Sequence, residues 1–82
     1  MNAMLDGVKE LLGEIKIDNA VPRNIRSRID VVISEIGKSD CEIDIKVSRL
    51  LTDLEEISED PNLPSYIRTE ILTTIGILSR ME

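Results

Sequence analysis

Histidine, phenylalanine and tryptophan are absent from the chain, and cysteine and tyrosine occur once each, as Cys41 and Tyr66. Each absence removes a class of chemistry. Without histidine the chain has neither the commonest metal ligand nor the commonest general base. A single cysteine permits no intrachain disulfide and no zinc framework. Without aromatic platforms, single-stranded nucleic acid finds little to stack on. No apolar run approaches the ~18 residues that a membrane span requires, so no membrane segment is expected. The stretch from Met1 to Glu14 lacks a basic start and carries Asp6, Glu10 and Glu14, unlike a secretory signal. These absences predict a cytoplasmic protein without cofactor or metal, and a non-enzyme. Acid–base chemistry by carboxylates alone is the one catalytic option left open.

What remains is aliphatic and acidic. Isoleucine occurs 13 times among the 82 residues and must dominate the core. A chain of this length forms one domain over residues 1–82, and so small a domain buries only about 60–65% of the surface its unfolded chain exposes. Without disulfides or metal, very regular helix packing or oligomerisation has to compensate. The net charge is −6. Residues 1–40 hold 6 basic and 7 acidic groups, and residues 41–82 hold 4 and 9. An acidic surface opposes non-specific binding to nucleic acid and to anionic membranes.

Shifting the chain against itself by 42 residues aligns Leu12 with Leu54, Ile15 with Ile57, Asp18 with Asp60, Pro22 with Pro64, Ile25 with Ile67, Arg26 with Arg68 and Ile29 with Ile71. Internal periodicity of this kind is the signature of repeated supersecondary units. The reading is two tandem helix-turn-helix repeats, about 1–40 and about 41–82. Apolar residues at spacings of three and four place Met4, Leu5, Val8, Leu11, Leu12 and Ile15 on one face of a first helix. The second helix buries Ile25, Ile29, Val32, Ile33 and Ile36, opens with Pro22 at its first helical position and stops at Gly37. Ser39 and Glu42 fit a capping box for the third helix, which buries Ile43, Val47, Leu50, Leu51, Leu54 and Ile57. Asp60 to Pro64 break the chain before a fourth helix that buries Ile67, Ile71, Ile75 and Leu78. Short connections make sequential helices antiparallel neighbours, so the expected fold is an all-α, four-helix up-and-down bundle. The alternative, a two-repeat solenoid fragment of the HEAT kind, would leave apolar edges open.

Few residues suggest a site. Asp18, Pro22 and Arg26, matched by Asp60, Pro64 and Arg68, form a duplicated motif. Its duplication favours a structural role: the aspartates hold the turns and pair with the arginines or with free N–H groups at the next helix start. Arg23, Arg26 and Arg28 are the only basic cluster, and they offer a possible phosphate or nucleic-acid contact beside a helix N-terminus. A solvated face paired with Asp18 or Asp30 is the simpler reading. Asp53, Glu55, Glu56, Glu59 and Asp60 lack the spacing of a calcium loop or a di-iron bundle site and read as a solvated helix end. Cys41 reads as a small hydrophobe, since no base or resolving cysteine accompanies it. Surplus apolar residues are more informative. Ile45 and Val31 lie off their core faces. On the fourth helix, Leu72 and Ile77 widen the apolar stripe and Gly76 stands opposite it, where alanine would serve an exposed helix better by about 0.8–1.0 kcal/mol. Leu72, Gly76 and Ile77 therefore mark a candidate contact face for a protein partner or a second copy of the chain.

The chain also resembles uncharacterised protein family 0147, a set of small archaeal proteins, over nearly its whole length. The runs that carry the likeness are Leu54-Glu55-Glu56-Ile57-Ser58-Glu59-Asp60-Pro61-Asn62-Leu63-Pro64 with Ile67-Arg68-Thr69, and Ala20-Val21-Pro22-Arg23-Asn24-Ile25-Arg26. The resemblance implies a compact four-helix bundle in an archaeal cytoplasm with no assigned activity. It supplies no catalytic residues to carry over.

Overall fold

A computed structural model describes residues 2–38 and 41–81. Four helices follow one another: α1 (Ala3–Lys16), α2 (Arg23–Ile36), α3 (Ile43–Ser58) and α4 (Ser65–Ser79). No strand occurs among the described residues. Each helix packs on its sequence neighbours, α4 returns to pack on α1, and the backbones of the diagonal pairs stay apart. This is the closed square of an up-and-down bundle. A solenoid would instead stack alternate helices and leave α1 and α4 apart. The molecule measures 33 × 19 × 18 Å.

The interior is aliphatic apart from Thr74 and Lys46. Val8, Leu12, Ile25, Ile29, Leu50, Leu54, Ile67, Ile71 and Leu78 are wholly shielded or nearly so. Val21 and Leu63, the residues before Pro22 and Pro64, are buried as well. An X-Pro pair holds its first residue extended, and here that extension drops each side chain into the end of the bundle. Several expected core residues lie further out. Met4 and Ile43 are exposed near helix starts, while Leu11, Ile33 and Ile75 are only partly buried. Thr74 is fully buried in place of an aliphatic residue. Its hydroxyl donates to the Glu70 carbonyl one turn back at 3.0 Å, so the polar atom is satisfied within the helix and the methyl faces the core.

Three helix starts differ in detail from the sequence reading. Pro22 and Pro64 are the N-cap residues themselves, not the first helical residues, with ψ of 149° and 147°. Their carbonyls accept the first helical bonds, from Arg26 N and Arg68 N. The third helix begins later than read. Ser39 lies outside the described residues, and Glu42, expected to reach back, is itself the N-cap of α3 and makes no side-chain cap. Among the described residues only α1 begins with a side-chain cap, where the Asn2 amide oxygen accepts from Met4 N and Leu5 N at 3.0 and 3.1 Å. Gly37 does end α2, but with φ of −79°. The stop does not use the left-handed conformation that makes glycine special at helix ends.

Cations do that work instead. The last carbonyls of a helix have no intrahelical partner. Arg26 donates to the carbonyls of Lys16 and Asp18 at the end of α1, at 2.8 and 3.1 Å. Arg68 donates to those of Ser58 and Asp60 at the end of α3, at 2.9 and 2.7 Å. Lys46 donates to those of Ile36 and Lys38 at the end of α2. In all three the donor is the fourth residue of the following helix and its acceptors lie ten and eight residues back. One rule thus closes every turn, and it explains why Lys46 is buried on an otherwise apolar face. A positive charge also suits the negative end of the helix dipole it touches.

Candidate interaction surface

The duplicated Asp-Pro-Arg motif is structural in its geometry. The Asp18 carboxylate accepts from Ala20 N and that of Asp60 from Asn62 N, both at 2.8 Å. These are Asx turns, which fold the chain back before each proline. The aspartate side chains therefore do not pair with the arginines or cap the next helix. Each arginine reaches its aspartate through the main-chain carbonyl. Asp18 has a further partner that sequence reasoning missed. The Tyr66 hydroxyl lies 3.0 and 2.9 Å from its two carboxylate oxygens and donates to them across the α1–α4 seam. That hydrogen bond, first among the causes, pushes the Tyr66 phenol above its ordinary pKa.

The basic cluster does not converge. Arg26 is turned into the first turn. Arg28 faces the opposite flank of α2 and pairs with Glu56 of α3 at 3.4 Å. Arg23 is exposed. Asp30, one of the acids expected to balance them, pairs instead with Lys16 of α1 at 2.6 Å. Among the described residues, a phosphate contacting this helix would meet one free guanidinium, not three.

The acidic run disperses likewise. Glu56 belongs to Arg28, Asp60 to its turn, and Asp53 to the α2–α3 seam opposite Glu35. Among the described residues no group of three acidic or cysteine side chains is gathered to hold a metal. Cys41 is half-buried in a shallow cleft with Glu35, Lys38, Lys46 and Arg49.

Burial between α2 and α3 pushes the Asp53 carboxyl above its ordinary value. The nearby Glu35 charge pushes it further, and Arg28 opposes the shift. A carboxyl raised in the native state binds a proton there that the unfolded chain has already released. Its charge therefore lowers stability as pH rises from the ordinary 3.8 through the raised value, and the full cost persists at neutral pH. Asp53→Asn is expected to shift the urea midpoint upward at pH 7. The gain should shrink as both proteins are unfolded at lower pH. An unchanged or lowered midpoint at pH 7 would show that the attraction of Arg28 outweighs burial and Glu35 at this carboxyl.

The outer face of α4 differs from the other three. Charged residues number five of fourteen in α1 and in α2, and six of sixteen in α3, but only two of fifteen in α4, Arg68 and Glu70. Arg68 is turned into the second turn. Ser65, Thr69, Leu72, Gly76 and Ser79 are all exposed and none carries charge. The hydroxyls of Thr69 and Ser79 donate to carbonyls of their own helix four residues back, at 3.1 and 2.9 Å. Their capacity to hold water is correspondingly reduced. Leu72 stands 51% exposed in this face. One turn on, a Cβ at Gly76 would meet nothing within 4 Å. No packing among the described residues requires that glycine. Ile77, grouped with these two in the sequence reading, is partly buried against the core. The bare face is therefore Leu72 and Gly76 with their small neighbours. Ile17, Val31, Ile43 and Ile45 are also exposed, but on other elements.

The comparisons with known proteins agree with this architecture. The family described as "Uncharacterised protein family (UPF0147)" matches residues 1–81. A UPF0147 protein of Methanothermobacter thermautotrophicus is 36% identical over 81 residues, covering 99% of this chain and 76% of the relative. One from Methanocaldococcus jannaschii is 35% identical over 79 residues, covering 96% and 85%. The crystal structure of MMP1188, a protein of unknown function, superposes with a TM-score of 0.89 at 32% identity, over 96% of this chain and 90% of that one. None of the described helices is long and apolar enough to cross a membrane. With a match along nearly its whole length, the chain belongs to the uncharacterised archaeal protein family UPF0147.

Proposed function

We propose that this protein is a non-catalytic interaction module of the cytoplasm that docks through the outer face of α4. One observation carries the reading: a solvent-facing helix side without charge, holding a half-exposed leucine and a glycine that intrachain packing does not need. Water-facing helix sides normally carry charge, and contiguous uncharged apolar surface marks contact sites. The rest of the chain supports the same view. Of the three arginines that could have formed a phosphate site, Arg26 is committed to a helix end and Arg28 to Glu56, and histidine is absent.

The test is capture from an archaeal extract at near-physiological salt, with the wild-type chain and Leu72→Glu as baits and with nuclease present or absent. A species retained by the wild type, resistant to nuclease and lost from Leu72→Glu supports the reading. The same species on both baits overturns it. Capture that vanishes with nuclease would move the function to nucleic acid and to Arg23.

A further inference from the structure

We infer that the occupant of the α4 face is a second copy of the same chain. In the resulting symmetric dimer two α4 helices cross antiparallel, with Leu72 of each copy seated over the partner's Gly76. This inference rests on the proposed function and names its partner. Charge selects the side on which two copies can meet. Each chain carries −6, and α1, α2 and α3 all present exposed acids, such as Glu14, Asp30 and Glu55. Two copies meeting on those sides would place like charges together. The uncharged face of α4 is where they approach without that repulsion.

Shape selects the arrangement. A two-fold interface must be complementary to itself, so a projection and a recess on one copy have to meet the recess and projection on the other. Leu72 is the projection and Gly76 the recess, separated by one turn, about 6 Å along the axis and about 40° around it. A two-fold axis between them places each opposite the other. In an antiparallel pair with that axis, opposed positions keep a constant sum. Thr69 of one helix then faces the partner's Ser79. Both are small, uncharged and exposed, with hydroxyls already bonded to their own helix, so they permit close approach without leaving a donor unpaired. One helix face supplies less than the about 800 Å² per partner of a standard interface. The dimer is therefore weak and forms with concentration.

The test is sedimentation equilibrium of the purified full chain from about 10 μM to about 1 mM, the range of weak association. The wild type is expected to rise from 9.2 kDa toward twice that mass. Leu72→Gly and Gly76→Leu should each hold the mass at the monomer value. The double variant Leu72→Gly/Gly76→Leu exchanges projection and recess on both copies and should recover the rise. Circular dichroism confirms that each variant is helical. A second measurement leaves Leu72 and Gly76 intact. In a Cys41→Ser background, Thr69→Cys and Ser79→Cys chains are mixed and oxidised, and the mixed disulfide should exceed both homodisulfides. A wild type that stays at 9.2 kDa throughout overturns the inference. So does a double variant no better than the single ones, or a preference for homodisulfides. A monomeric wild type together with Leu72-dependent capture from extract would reject self-pairing and keep the docking face for another protein.

Discussion

Arg68→Met is expected to lower the stability of the fold by about 2–3 kcal/mol, read as a fall in the urea midpoint, and Arg26→Met by a similar amount. Methionine keeps the aliphatic stem and removes the donors, leaving the carbonyls of Ser58 and Asp60, or of Lys16, Asp18 and Val21, without their cation. Each guanidinium is part-buried, so water replaces it incompletely. Against a total stability of about 4–12 kcal/mol for a domain of 82 residues, this is a large share. Arg68→Lys should fall between: Lys46 shows that an ammonium reaches both carbonyls of its own turn, but it lacks the fixed fork of a guanidinium and is more strongly hydrated. Arg28→Met supplies the contrast. Its pair with Glu56 is largely solvated and long at 3.4 Å, and its loss should cost less than about 1 kcal/mol. Equal losses for Arg28→Met and Arg68→Met would refute the capping role.

Leu54→Ala is expected to cost about 3–4 kcal/mol and Leu72→Ala less than about 0.5 kcal/mol in dilute solution. The chemistry removed is identical. Leu54 is fully shielded among aliphatic neighbours and leaves a cavity, whereas Leu72 is 51% exposed and leaves none. The two columns of data separate core from surface without any change of residue type. A large loss for Leu72→Ala at micromolar concentration would mean that the leucine supports its own chain's fold and would count against the docking face.

The helices were legible in the sequence because their apolar spacing is regular and their breaks hold prolines. Asp18 with Arg26, and Asp60 with Arg68, could be picked out as pairs for the same reason: each recurs at one offset beside a proline. What could not be read was the atom each partner uses. A carboxylate and a guanidinium invite a salt bridge on paper, yet a tight turn brings the main-chain carbonyl to the arginine and turns the carboxylate to a neighbouring N–H. Lys46 was overlooked because a lysine among Ile43, Val47 and Leu50 looks like the polar side of a helix. Only the end of α2 above it explains its burial. The Tyr66–Asp18 contact spans 48 residues with no pattern to announce it. Thr74 hid because its hydroxyl makes it polar by type and its helix makes it apolar in effect. The uncharged face of α4 was partly visible in Leu72 and Gly76. Ile77 was misgrouped because a helical wheel gives direction but not how far a neighbouring helix extends.

The capping rule also restricts how these turns tolerate change in length. Surface connections ordinarily accept inserted residues at a cost that grows slowly with loop length. Here the donor must lie eight and ten positions beyond its acceptors while sitting in the first turn of the next helix. One added residue in any of the three connections has to bulge clear of the bonded carbonyls; otherwise it carries the cation out of reach or forces the helix start to slide, rotating every core side chain on it by about 100°. The connections of this bundle are therefore as constrained in length as its core is in volume.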